Sequence, residues 1–180
     1  MPKIATIGFF DGVHRGHHFL FAQLHEHAKH YQLTPAIYTF DCHPKELLTG
    51  KAPAMLTTHD ERKMLLQRFG EVHFLDFARV QHLTAEQFMR YLQEEEQVEV
   101  LLMGYDHRFG SDQLKGFSEY EKVARGVGLR VERAHECLVD SLPVSSTRIR
   151  KLLHEGQIKQ VNRLLGYHSS LTGIVEHGNG

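Results

Sequence analysis

The chain has 180 residues, 41% of them hydrophobic and 24% charged, the balance of a globular domain with a substantial buried core. Lysine and arginine number 21 against 22 aspartates and glutamates, so no net basic field argues for a nucleic-acid partner. No apolar run approaches the roughly 20 residues of a membrane helix, and neither Cys42 nor Cys137 sits in a C-x-x-C pair, which speaks against a thiolate zinc site and a disulfide scaffold. The opening MPKIATIGFF runs directly into a strand pattern without the basic-then-apolar signature of a signal peptide, so a soluble, cytoplasmic protein is expected.

Taken in chain order, Lys3 to Gly8 reads as a short apolar strand. Gly16 to Tyr31 reads as a helix with Leu20, Leu24 and Ala28 at four-residue spacing on one face. Ala36 to Phe40 is a second strand, and the stretch from Glu46 to Thr57, punctuated by Gly50 and Pro53, is a loop and the candidate mobile flap. Thr58 and Glu61 form a capping box for a helix that stops near Gly70. Val72 to Phe77 is a third strand, and Thr84 with Gln87 repeats the capping box ahead of another helix. Val98 to Met103 is a strongly apolar fourth strand, Ser118 with Glu121 opens a further helix, and Leu129 to Arg133 is a fifth strand. Ser146 opens a helix to about His154, and Gln157 to Leu165 continues helical after Gly156. Strands alternating with helices imply parallel pairing through right-handed crossovers, hence an open, doubly wound α/β sheet. Ligands of such sheets bind beyond the carboxyl ends of the strands. Three unusual segments fall there: Gly8 to His18, Asp41 to Lys45 and Gly104 to Ser111.

GFFDGVHRGHH follows a strand and opens a helix. Gly8 and Gly12 let the backbone turn tightly against a ligand. Gly16 leaves room at a helix start whose free N–H groups and dipole favour an anion. His14 and His17 flank that start and can donate to phosphate oxygens. A metal site on His14, His17 and His18 is the weaker alternative, because no nearby carboxylate or cysteine set completes a tetrahedron, although Asp11 can join from a distance. A second signal is PVSSTRIRKLL. Ser146 alone is explained as an N-cap worth about 1 kcal/mol. Arg148 and Arg150, in the first turn of the same helix, are not: cations are disfavoured there unless an anion binds at that end. Arg150 can grip a phosphate with both arms of its fork.

His14-Arg15-Gly16-His17 followed by Ser145-Ser146-Thr147-Arg148-Ile149-Arg150 resembles the HIGH-type, Rossmann-like nucleotidyltransferase superfamily. Within it the chain resembles the FAD synthetase (FMN adenylyltransferase) module of bacterial bifunctional riboflavin kinase/FAD synthetases. The likeness rests on GFFDGVHRGH, on TFDCHPKE from Thr39 to Glu46 and on GYDHRFG from Gly104 to Gly110, and it runs from about Lys3 to about Gly166. It implies adenylyl transfer from ATP to the phosphate of FMN, giving FAD and pyrophosphate. It also implies a Mg²⁺ ion held mainly by ATP phosphates and water, with no metal site built from protein side chains.

The resemblance implies catalytic roles for His14, His17 and Arg150. ATP contacts would come from Gly8, Phe9, Asp11, Gly12, Gly16, Ser146 and Thr147, and FMN contacts from His43, Pro44, Asp106 and Phe109. Phe10, Cys42 and His107 depart from the family's usual Asn, Pro and Phe, and the last two bear on the flavin pocket. The alternatives are a nucleotidyltransferase for another phosphorylated metabolite and a non-catalytic flavin-binding protein. Residues 1–166 are expected to form the adenylyltransferase domain. Residues 167–180 resemble the entry to a riboflavin kinase domain, with Leu171 to Val175 as its first strand and Gly178 to Gly180 as the start of its Gly-rich loop. The expectation is adenylylation of FMN without phosphorylation of riboflavin, and a tail that is disordered or pairs with a neighbouring molecule.

Overall fold

The computed structural model describes residues 1–51, 53–173, 175 and 178. Five parallel strands form one sheet: β1 (Lys3–Ile7), β2 (Thr34–Phe40), β3 (Glu71–Leu75), β4 (Val98–Met103) and β5 (Arg130–Arg133), in the order β3-β2-β1-β4-β5. The expected doubly wound α/β sheet is what forms. Winding proceeds outward in both directions from the β1/β4 pair, so the topological switch point lies at the carboxyl ends of those two strands.

Side-chain alternation along the strands builds a core on each face. Ile4, Ile37, Val100 and Leu102 meet α1 (Arg15–Tyr31) through Leu20, Phe21, Leu24 and Ala28, and meet α3 (His59–Leu66) through Leu66. Ala5, Ile7, Tyr38, Leu101 and Met103 meet α5 (Ala85–Glu94) and α6 (Phe117–Gly126) through Phe88, Met89, Leu92, Tyr120 and Ala124. A third cluster joins α7 (Ser146–His154) to α8 (Ile158–Leu165) through Ile149, Val161, Leu164 and Leu165. Burial of each such aliphatic or aromatic side chain contributes roughly 1.5–3 kcal/mol.

Both expected capping boxes are present: Thr58 accepts from Glu61 N and Thr84 from Gln87 N, with the reciprocal glutamate and glutamine contacts. Three local expectations need correction. The stretch read as loop from Glu46 begins inside α2 (Pro44–Thr49), which His43 caps by accepting from Lys45 N. Proline at the first helical position suits that start, because its missing N–H is not needed there. Ser118 does not open α6, which starts one residue earlier behind Gly116. After β3 the chain turns at once into the short α4 (Phe77–Val80), capped by Asp76. Between β5 and α7 it forms a two-residue hairpin, β6 (Leu138–Val139) with β7 (Leu142–Pro143). Leu171, Thr172, Gly173 and Val175 belong to no strand. Residues 174, 176, 177, 179 and 180 of the kinase-like stretch lie outside the described residues.

Candidate active site

At the switch point the turn from β1 into α1 is strained. Phe10 and Val13 carry positive φ values of 57° and 34°, and Val13 N donates to Phe10 O at 3.0 Å. A β-branched residue in that region is an outlier that surrounding contacts must hold in place. Gly12 also has positive φ, 75°, and a Cβ there would stand 2.8 Å from Leu56 Cδ1. Gly16 is required by space: a Cβ would lie 3.1 Å from His14 Nδ1 and 3.3 Å from Val144 O. Its missing side chain lets the approach to α7 press against the start of α1.

Two helix N-termini therefore converge. The His14 and His17 rings stack there with centroids 3.6 Å apart and planes 18° from parallel. The buried Nδ1 atoms of both rings have no hydrogen-bond partner. Burial pulls His14 down to about 4, helped by the nearby His18, and holds His17 well below the usual histidine value. Without a ligand the pair is neutral at pH 7. An anion beside it would reverse the sign of the local field and favour protonation.

Across the cleft, Ser145 is the residue that caps α7, its hydroxyl accepting from Arg148 N at 3.2 Å. That corrects the reading of Ser146 as the cap. The Ser146 hydroxyl instead donates to Asp11 O at 3.0 Å, tying α7 to the β1–α1 turn. The Asp11 side chain, 3% exposed, is occupied on all sides. It accepts from Leu56 N, Thr57 N, the Thr57 hydroxyl and Arg150 Nη2, the last at 2.5 Å. Arg150 Nε also donates to Ala54 O at 2.6 Å. Asp11 thus reaches the site as the anchor of Arg150 and of the segment before α3, rather than as a free carboxylate.

A cavity of about 420 Å³ brings together most of the residues singled out in the sequence: Phe9, Asp11, His14, Gly16, His17, His43, Asp106, Ser146, Thr147 and Arg150. Four others do not line it. Gly8 and Gly12 shape the turn behind it, and Pro44 starts α2. Phe109 packs against Phe88 and Tyr120 in the core, its backbone N–H and C=O both bonded to the Tyr120 hydroxyl. The cavity adds residues the sequence reading passed over, notably Tyr105 and the run His135, Glu136 and Cys137. That run follows β5 directly, a position the strand-end rule could have flagged. Gln23 of α1 clamps it, accepting from His135 N at 2.7 Å and donating to His135 O at 3.4 Å. Among the described residues no group of three His, Cys, Asp or Glu side chains could hold a metal ion.

The pattern of the FAD synthetase family matches residues 1–148. The chain is 32% identical to the bifunctional riboflavin kinase/FMN adenylyltransferase of Escherichia coli (strain K12) over 98% of its length, and 32% identical to that of Pseudomonas fluorescens over 97%. It spans 58% of the length of these curated relatives. Among solved structures, a Streptococcus pneumoniae chain titled as a macrolide-efflux protein superposes with a TM-score of 0.85 at 29% identity, over 99% of this chain and 59% of that one. Among the described residues no helix is long and apolar enough to cross a membrane.

Proposed function

The chain belongs to the FAD synthetase family, and we propose on that footing that it transfers the adenylyl group of ATP to the phosphate of FMN. The observation that carries this reading is the convergence of the α1 and α7 N-termini on one cavity, with the stacked His14 and His17 rings on one wall and the Arg150 fork on the other. Helix N-termini and imidazole donors are suited to a polyanion.

In the reaction an oxygen of the FMN phosphate bonds to the α-phosphorus of ATP. The bond from that phosphorus to the bridging oxygen breaks, and its electron pair leaves on pyrophosphate. A phosphate monoester with a second pKa near ~6 is largely a dianion at pH 7, so no general base is required. The work left to the protein is alignment of two anions and stabilisation of charge growing on the α-phosphoryl and the leaving group. His14 and His17 would donate to phosphate oxygens from the α1 side. Ser146, Thr147 and Arg150 would close from the α7 side, Arg150 exchanging one Asp11 contact for a phosphate oxygen. Asp106 and His43, on the neighbouring strand ends, would face the acceptor. Mg²⁺ would enter as part of the MgATP substrate, since the Asp11 carboxylate is already saturated by protein donors.

The test is incubation with MgATP and FMN followed by chromatography for FAD. FAD formation is expected, with His17→Ala lowering kcat about 100-fold, the loss of about 3 kcal/mol typical of one transition-state donor. FMN recovered unchanged would refute the reading, and a near-normal kcat for the variant would remove His17 from the mechanism.

A further inference from the structure

One buried charge lies outside these roles. Arg62 of α3 is 1% exposed, on the helix face that also buries Leu66. Its guanidinium lies 3.8 Å from the centroid of the Phe9 ring. Nη1 donates to Phe9 O at 3.2 Å and Nη2 donates to Phe40 O at 2.6 Å, while Nε has no partner. Phe9 opens the loop beyond β1 that carries the histidine pair, and Phe40 is the last residue of β2, just before the loop that carries His43. The two loops also touch through the Phe9 and His43 rings, 4.6 Å apart. Burial lowers Arg62 to about 10, and Asp11 and Asp41 offset this only in part. Burying a cation against carbonyls is costly, and an apolar side chain of similar volume would fill the same space without that cost. What an apolar side chain cannot do is hold two backbone carbonyls at a fixed separation, which a planar fork does.

We propose that Arg62 is a positioning residue: its fork sets the spacing between the loop that holds the ATP phosphates and the loop that faces the acceptor, so that the two substrates meet at reacting distance. The proposal rests on the adenylyl-transfer reading, and it separates binding from turnover. Each substrate keeps its own contacts when Arg62 is lost, whereas their alignment does not survive. A misplacement of about 1 Å can cost on the order of 100-fold in rate.

The experiment compares Arg62→Met, which fills the space but donates nothing, with Arg62→Lys, which can reach one carbonyl. Dissociation constants for ATP and for FMN are measured singly, together with kcat and the folded fraction from circular dichroism. The expected result for Arg62→Met is a kcat at least about tenfold lower per folded molecule, single-substrate affinities within about threefold of wild type, and an intermediate kcat for Arg62→Lys. A kcat within twofold of wild type, or a loss fully accounted for by unfolded protein, overturns the proposal. If Arg62→Met does not fold, Arg62→Gln replaces it, leaving a single side-chain amide donor in place of the two-armed fork. If wild-type protein makes no FAD, the reaction reading fails, and Arg62 is judged by hydrogen exchange alone. Faster exchange of amides 9–13, 41–43 and 45 in the variant supports loop positioning, and unchanged exchange refutes it.

Discussion

The stacked histidine pair makes the stability of the fold depend on pH. His14 is held near 4 by burial, whereas an unfolded chain protonates it near 6.5. The unfolded state therefore takes up a proton as pH falls through about 6.5, and the folded state does so only near 4. The stabilisation from the depressed pKa is complete above about 6.5 and is lost as pH falls towards 4. For His14 alone the loss by pH 5 is about 2 kcal/mol. His17 and His107, also lowered by burial, act in the same direction. Denaturant midpoints at pH 7 and pH 5 should differ by less in His14→Gln than in the wild type; equal differences would mean that His14 is not buried neutral. The histidines were legible in the sequence because their spacing falls at a strand-to-helix turn. Their depressed pKa values were not, because those depend on burial and on each ring's neighbours. Arg62 was missed for a related reason: four residues from Thr58 and four from Leu66, it occupies an apolar position of its helix, and a charged residue there reads as surface until the fold closes over it.

At the scale of elements, local capping chemistry was read correctly at Thr58 and Thr84 and misread at Ser118 and Ser146. Thr58, which follows Thr57, and Thr84 are matched three residues on by Glu61 and Gln87, and both boxes form. Ser145 and Ser146 are adjacent, and only the path of the chain out of the β7 strand decides that Ser145 caps while Ser146 reaches Asp11 O. Their substitutions should therefore separate. Ser145→Ala is expected to cost about 1 kcal/mol of stability with little change in kcat. Ser146→Ala is expected to lower kcat/KM for ATP, with a stability cost of about 1 kcal/mol from the lost bond to Asp11 O. Thermal unfolding and steady-state kinetics on both variants check this, and a reversed pattern would restore Ser146 as the cap. The α2 helix escaped notice because Pro44 reads equally as a turn residue, and six helical residues are too few to show a period. Tyr167, just past α8, donates from its hydroxyl to Gly12 O at 2.6 Å. Tyr167→Phe is expected to lose about 1 kcal/mol of stability and, on the proposed ATP site, to raise KM for ATP, because the β1–α1 turn loses its brace. An unaltered KM would confine Tyr167 to packing.

The whole molecule was legible through its alternation of strand and helix, since parallel pairing and handed crossovers leave few arrangements open. The strand order places the β1 and β4 ends side by side, and with them the turn at Gly8 to His17 and the loop at Gly104 to Asp106. Sequence patterns do not contain the third cluster, in which α7, α8 and the segment before α3 lock together around Ile149, Leu164 and Leu56. That cluster delivers Arg150 to Asp11 across 139 positions of sequence. The central claim is that this assembly brings the α-phosphorus of ATP to the phosphate of FMN. It is tested most directly by supplying MgATP labelled at the α-phosphate together with FMN, and following label and pyrophosphate over time. The account predicts that label enters FAD with one pyrophosphate released per FAD formed. Label that remains in ATP, or appears in ADP or AMP without FAD, would contradict it.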